Sequence, residues 1–219
     1  MQWMRKAISI SAITLAVAMT APAFAADYTA DVVVIGAGAS GSAAALASQQ
    51  SGAKTILLEK TPFQMGAGSF AGGMFAADSS QQKAAGKTVD KKWLFNQYLS
   101  LSGGFQNSLL VRRIIDESGK TVDWLNANGC RMTLVDAGTG GAYAHIGMPA
   151  PLHGDQDGGA KALGALKDSF LKAGGQALFS TRATELSKDA KGKVTGGRII
   201  GKYGKPGTVT AKAVVIASG

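Results

Sequence analysis

The sequence predicts an α/β fold with a parallel central sheet, and three observations predict it. Val32-Val33-Val34-Ile35 is an unbroken β-branched run, the pattern of a strand buried on both faces. The turn Gly36-Ala37-Gly38-Ala39-Ser40-Gly41 follows at once and opens onto small residues, Ser42 through Ala47, suited to a helix lying close to a sheet. Lys54–Glu59 then reads as a second strand. Together these make a strand–turn–helix–strand unit of about thirty residues, as a parallel crossover requires.

The later elements follow from periodicity and punctuation. Gly52 ends the first helix, and a glycine-rich segment, Gly66–Gly73, has few side chains to hold it except by packing on something else. Two helical stretches come next. Asn107 or Ser108 can cap the second, in which Leu110, Val111, Ile114, Ile115, Val122 and Leu125 recur at helical spacing up to Gly129. A second glycine-rich loop spans Asp136–Gly159 and contains both histidines, and Ala160–Lys172 is helical, closed at Gly174. Ala177–Ser180 is expected as a third parallel strand, and Thr184–Thr210 as a small antiparallel β-meander with Lys-Gly and Lys-Pro-Gly turns. Ala213–Ala217 is another buried-type strand. So apolar a strand wants neighbours on both sides, so the domain is expected to be incomplete at Gly219, and the chain alone to aggregate through the 213–217 edge.

Residues 1–25 read as a signal peptide: Arg5 and Lys6, an uncharged run Ala7–Thr20, Pro22, then Ala23-Phe24-Ala25 with small residues where a peptidase reads. An uncleaved anchor is the alternative. Without paired arginines, the general secretory route and a periplasmic location are expected, with no stable membrane span after cleavage. Residues 26–219 then form one domain, and losing Arg5 and Lys6 lowers the formal charge from +9 to +7. The lysines are scattered (Lys83, Lys87, Lys188, Lys191) without a basic stripe, which argues against nucleic acid. A lone Cys130 excludes an intramolecular disulfide and a c-type haem site, and reads as a small buried residue rather than a reactive thiol. No metal is expected with only His145 and His153, which read as ordinary loop histidines. Arg112 and Arg113 read as solvated or paired helix residues.

The glycine turn carries the chemistry. Gly36 permits the tight exit from the strand, Gly38 lets backbone N–H groups approach a pyrophosphate, and Gly41 lets the helix pack against the strand. The helix N-terminus favours the phosphate charge. Eighteen residues after Gly41, Glu59 stands at the end of the second strand, where a carboxylate accepts from ribose hydroxyls. An acid there disfavours the 2′-phosphate of NADP. This is a Rossmann-like dinucleotide-binding pattern, and these residues alone leave FAD and NAD both open.

Four blocks in order, VVVIGAGASGSAAALAS, ILLEK, GAGSFAGGMFAA and TVTAKAVVIASG, give the chain from Ala30 onward a resemblance to one family. It resembles the N-terminal part of the FAD-binding subunits of the fumarate reductase and succinate dehydrogenase family. Within it, the chain is most similar to soluble periplasmic fumarate reductase flavoproteins, with urocanate reductase and 3-ketosteroid dehydrogenase-like enzymes close by. The resemblance implies a Rossmann-like FAD-binding domain, truncated before a capping domain and a last strand. It implies that Gly36, Gly38, Ala39, Ser40 and Gly41 meet the cofactor, with Glu59 on the adenosine ribose and Lys60 beside it. Gly66, Ala67, Gly68, Ser69, Ala71, Gly72, Gly73 and Met74 would line the pyrophosphate and flavin through their backbone. Ala183 would meet the adenine, and Ala217, Ser218 and Gly219 would begin the turn beside the cofactor.

The departures matter too. The family's two glycines followed by Asn, Ser or Thr are replaced here by Met65-Gly66-Ala67-Gly68. The histidine of members with covalent FAD is missing from that loop, so FAD is expected to be non-covalent. The Cys-x-x-Cys-His runs of haem-bearing relatives are absent, and Asp136–Ala142 is only a near miss for an FMN attachment sequence. The resemblance implies hydride transfer from flavin to an unsaturated carboxylic acid such as fumarate, a dicarboxylate-like substrate, with a periplasmic donor such as a cytochrome. Residues 26–219 supply no catalytic set for that reaction. The alternatives are a non-catalytic FAD-binding fragment and a free-standing NAD-dependent enzyme.

Overall fold

A computed structural model describes residues 27–135 and 152–219. The expected signal peptide, His145 and the near-miss segment Asp136–Ala142 lie outside the described residues. The central sheet forms around β1 (Tyr28–Ile35), which leads through the glycine turn into α1 (Ala39–Gln50) and back to β2 (Thr55–Leu58). β2 runs parallel to β1 with Val33 beside Ile56 and Ile35 beside Leu58. After a 3-10 turn (Ala67–Phe70) come β3 (Gly73–Phe75), α2 (Ser80–Ala84), α3 (Lys91–Leu101), α4 (Ser108–Ala127) and β4 (Met132–Leu134). The chain resumes with β5 (Leu152–Asp155), α5 (Gly159–Lys172), β6 (Gln176–Leu178), β7 (Arg182–Lys188), β8 (Val194–Ile200) and β9 (Pro206–Ile216). The large sheet has the order β6-β2-β1-β9-β8-β7, and a three-stranded antiparallel sheet has the order β3-β5-β4.

The β-branched runs separate two cores by the two-residue period of a strand. Val34 of β1 and Leu57 of β2 pack with Leu46 of α1 and with Leu166 and Phe170 of α5. Their neighbours Val33, Ile56 and Leu58 join Ile199, Val209 and Ala211 in a second cluster. A third cluster, with Leu94 of α3 and Ile115 of α4, seats those helices on Ala77 and Val89. The helix starts follow the sequence: the side chain of Asn107 caps α4 by accepting from the Leu110 N–H, and that of Asp90 caps α3.

The structure corrects the sequence reading in four places. Three helices, not two, lie between the Gly66–Gly73 segment and Gly129. The loop expected over Asp136–Gly159 ends in strand β5, the middle of the small sheet, and the third parallel strand stops at Leu178. The meander and the last apolar strand are continuous, because β9 runs unbroken from Pro206 to Ile216. Its first half pairs antiparallel with β8 as far as Thr210, while the stretch from Val209 to Ile216 pairs parallel with β1. Among the described residues, Ala213–Ile216 therefore has one strand neighbour, and Ile216 is 65% exposed.

Candidate functional site

The turn from β1 to α1 is closed by contacts that admit only glycine at two positions. Gly36 has φ +101°, and a Cβ there would lie 2.5 Å from the Ala217 carbonyl oxygen. A Cβ on Gly41 would lie 1.8 Å from the Gly36 oxygen. Gly38 is different: nothing lies within 4 Å of where its Cβ would be, so the space beside it is open. It is the N-cap of α1, and it makes no side-chain cap. Ser42 is the first residue of α1 to donate back into the helix, to the Gly38 carbonyl at 2.9 Å. The N–H groups of Ala39, Ser40 and Gly41 are thus left over at a positive helix end, a geometry that takes phosphate.

Glu59 follows β2 and is 93% buried, with 7% of its surface exposed. Its Oε2 accepts from the Ala37 N–H at 2.9 Å, and its Oε1 accepts from the Thr61 N–H at 2.9 Å. The Thr61 hydroxyl also lies 2.9 Å from Oε1. Burial alone would push this carboxyl up, but the Thr61 and Ala37 N–H groups, the Thr61 hydroxyl and the Lys60 charge outweigh it and hold it below the ordinary glutamate range. A cleft of about 260 Å³ opens over it, lined by Gly36, Glu59, Lys60, Arg182, Ala183 and Ser218. Ala183 reaches it because the Thr181 N–H donates to the Glu59 carbonyl at 2.8 Å, folding the start of β7 against the end of β2. Ala217 packs under Gly36 and Gly41, and Gly219 has φ +83° just beyond Ser218.

The second glycine segment lies against the first. A Cβ on Gly66 would come within 3.3 Å of Gly38 Cα, and one on Gly68 within 2.9 Å of Ala39 Cβ. Gly159, the first residue of α5, donates to the Ala71 carbonyl at 3.0 Å. Ala39, Gly68, Ala71, Gly73 and Met74 line a second cavity of about 260 Å³, with Asp155 at its wall. Gly72 joins β3 to the β5 end by accepting from the Asp155 N–H at 2.9 Å. Ala67 is exposed on the 3-10 turn. Two polar atoms here, Ser69 Oγ and Asp155 Oδ2, are buried without a hydrogen-bond partner among the described residues. A buried, unsatisfied oxygen asks for a donor. An extended ligand with two phosphates and further hydroxyl groups therefore fits the path from the cleft, past the α1 terminus, to this cavity.

Three residues were not legible from the sequence. Gln64 donates to Ser42 Oγ at 2.6 Å, tying the second segment to α1. Asp155 sat in a stretch that reads as loop. His153, expected as a loop histidine, is instead a fully buried β5 residue with Nε2 2.8 Å from Ser79 Oγ. It pairs opposite Met74 of β3, so it supports the cavity wall from behind. Cys130 is buried, and burial followed by the nearby Asp155 charge pushes its thiol up to about 11. Arg112 stacks over Phe95 at 4.0 Å, and Arg113 lies 3.9 Å from Glu117. Among the described residues no cluster of His, Cys, Asp and Glu could hold a metal ion, and no helix is long and apolar enough to cross a membrane.

A fumarate reductase (cytochrome) of Shewanella frigidimarina is 35% identical over 192 residues, covering 87% of this chain and 33% of its own. A vinyl phenol reductase of Lactiplantibacillus plantarum is 35% identical over 194 residues, covering 86% and 37%. The open conformation of a flavocytochrome c3 fumarate reductase superposes with a TM-score of 0.71 at 26% identity, over 86% of this chain and 33% of that one. The chain thus spans about a third of the length of these relatives. The family described as "FAD binding domain" matches residues 31–219, from Asp31 within β1 through the glycine turn, Glu59 and β9. On that match, which takes in both glycine segments and nearly every described element, the chain belongs to the FAD-binding domain family.

Proposed function

We propose that this chain is the cofactor-holding part of an FAD-dependent oxidoreductase, binding FAD without a covalent bond. The observation that carries the reading is the pair of openings along the glycine turn: Gly36 and the buried Glu59 carboxylate line the first, and Ala39, at the α1 terminus with its spare N–H groups, lines the second. In this reading Glu59, Lys60 and Ala183 hold the adenosine. Gly38, Ala39, Ser40 and Gly41 hold the pyrophosphate, and the segment Gly66–Met74 runs along the flavin. Ala217, Ser218 and Gly219 close the near side. FAD, once bound, supplies hydride transfer from its flavin. The chain's own residues bind and orient it: backbone donors meet the phosphates, and the apolar wall of Met74, Leu163 and Leu166 excludes water.

The acceptor in this reading is an unsaturated carboxylic acid such as fumarate, or a related compound, and the donor a periplasmic electron carrier such as a cytochrome. Reduction of such an acid needs cationic groups on its carboxylates and a proton donor on the face away from the flavin. The described residues beside the second cavity offer no arginine or lysine for that role. That absence of a cation from the cavity lining supports a second reading, in which the chain binds FAD without catalysing the reaction. Export through the segment 1–25 completes the proposal. Titration of the apo-chain with FAD and with NAD, followed by calorimetry, tests cofactor choice: tighter binding of FAD is expected, and a preference for NAD would contradict it. With FAD bound, reduced viologen and fumarate are expected to give no turnover by this chain alone. Turnover would instead place the catalytic groups within it.

A further inference from the structure

The Gly36–Ala37–Gly38 turn is not held by a backbone ladder at its centre. Ala37 is fully buried, and both of its main-chain polar groups are bound by side chains. Its N–H donates to Glu59 Oε2 at 2.9 Å, from the end of β2. Its carbonyl accepts from the Ser42 hydroxyl at 3.1 Å, from the first turn of α1. Ser42 Oγ in turn accepts from Gln64 Nε2 at 2.6 Å. The residue before Ala37 is a glycine in the left-handed region, whose backbone is intrinsically the freest in the turn. Two side chains therefore set the planes of the two peptides that flank Ala37 and lead to Gly38 and the α1 terminus.

Glu59 is already heavily engaged. A carboxylate offers about four lone-pair positions. Ala37 takes one on Oε2 and the Thr61 N–H one on Oε1. The Thr61 hydroxyl lies within reach of both Oε1 and the Phe63 carbonyl, and its single hydrogen serves one of them at a time. The oxygen with most capacity left for a ribose is Oε2, the same atom that holds Ala37.

We infer that Glu59 is a positioning residue for the phosphate-binding turn, acting with Ser42 as a clamp on Ala37, in addition to any bond it makes to a ribose. The inference rests on reading the cleft as the dinucleotide site. An amide in place of the carboxylate cannot reproduce the clamp. It has one oxygen, so its NH2 must face the N–H of either Ala37 or Thr61, donor against donor.

The test compares ADP with 2′,3′-dideoxy-ADP, which lacks both ribose hydroxyls, on the full chain and on Glu59→Gln and Ser42→Ala. A clamp predicts that Glu59→Gln weakens dideoxy-ADP by about tenfold, because a charge-assisted bond to the turn is lost. It also predicts faster amide exchange at Ala37 in this variant without any nucleotide. Ser42→Ala, which is remote from the ribose, is expected to weaken ADP and dideoxy-ADP by the same factor of several-fold. If Glu59→Gln weakens ADP but leaves dideoxy-ADP and the Ala37 amide unchanged, Glu59 serves the ribose alone and the inference is overturned. Unchanged affinities for both nucleotides in Ser42→Ala overturn it as well, and stand even if Glu59→Gln does not fold. Failure of the unsubstituted chain to bind ADP would instead remove the dinucleotide reading beneath it.

Discussion

Ser79 Oγ and His153 Nε2 lie 2.8 Å apart with both residues fully buried, joining the start of α2 to the middle of the small sheet. The same hydroxyl accepts from the Gln82 N–H at 3.1 Å, and Gln82 returns a bond to the Ser79 N–H at 3.0 Å, a reciprocal cap. Met74, on the cavity wall, sits opposite His153 in the β3–β5 register. Ser79→Ala removes the cap and the hydrogen bond that ties it to the buried His153 ring. It is expected to lower stability by about 1–3 kcal/mol. Chemical denaturation of the full chain measures this, and an unchanged midpoint would count against the network.

Glu59 gives the stability a pH signature. Its carboxyl is held below the ordinary glutamate range in the folded chain, so it stabilises the fold above that range. The contribution is lost as the pH falls from about 4.3, the usual unfolded value, through the lowered folded one. Glu59→Gln should therefore be less stable than the parent at pH 7, with the difference shrinking on acidification. Denaturation series at several pH values check this, and a gap that widens toward acid would reverse the sign.

The glycines of the turn separate fold from ligand. Gly36→Ala must adopt φ +101° and place a Cβ 2.5 Å from the Ala217 oxygen. It should destabilise by about 2 kcal/mol or more. Gly38→Ala meets no protein atom within 4 Å and has φ −70°, which suits alanine. Its stability should fall by less than about 1 kcal/mol, the loss at an N-cap, while FAD affinity falls because the methyl enters the phosphate's space. Thermal denaturation and FAD titration of the two variants, side by side, measure both effects.

Cys130 should be inert in the native chain. It is 5% exposed, and a thiol pushed up to about 11 has almost no thiolate at neutral pH. Thiol reagents at pH 7.5 are expected to modify it only after denaturation, and rapid labelling of the folded chain would contradict its placement.

The unit from β1 to β2 was legible because an unbroken β-branched run, a glycine turn and a small-residue helix each leave a local pattern. The small sheet was not. β3 and β4 have three residues each and β5 four, too short to show alternation, and β5 contains Gly154 and a buried histidine whose partner is 74 positions away. β9 read as two pieces because its halves face different surroundings. Thr208, Thr210 and Lys212 alternate with buried Val209 and Ala211. Ala213–Ile216 lies beside β1 as a continuous apolar run. Glu59 was legible as a cleft acid. Its bond to Ala37, 22 positions earlier, depends on a parallel register that only the folded sheet reveals.

The central claim is that this chain holds FAD non-covalently. The most direct measurement is the visible spectrum of the purified full chain supplied with FAD and freed of excess, followed by acid precipitation. The account predicts flavin absorption that travels with the protein and passes entirely into the supernatant on denaturation. A colourless protein that retains no flavin would contradict the claim of binding, and flavin that stays with the precipitate would contradict the claim that no covalent bond holds it.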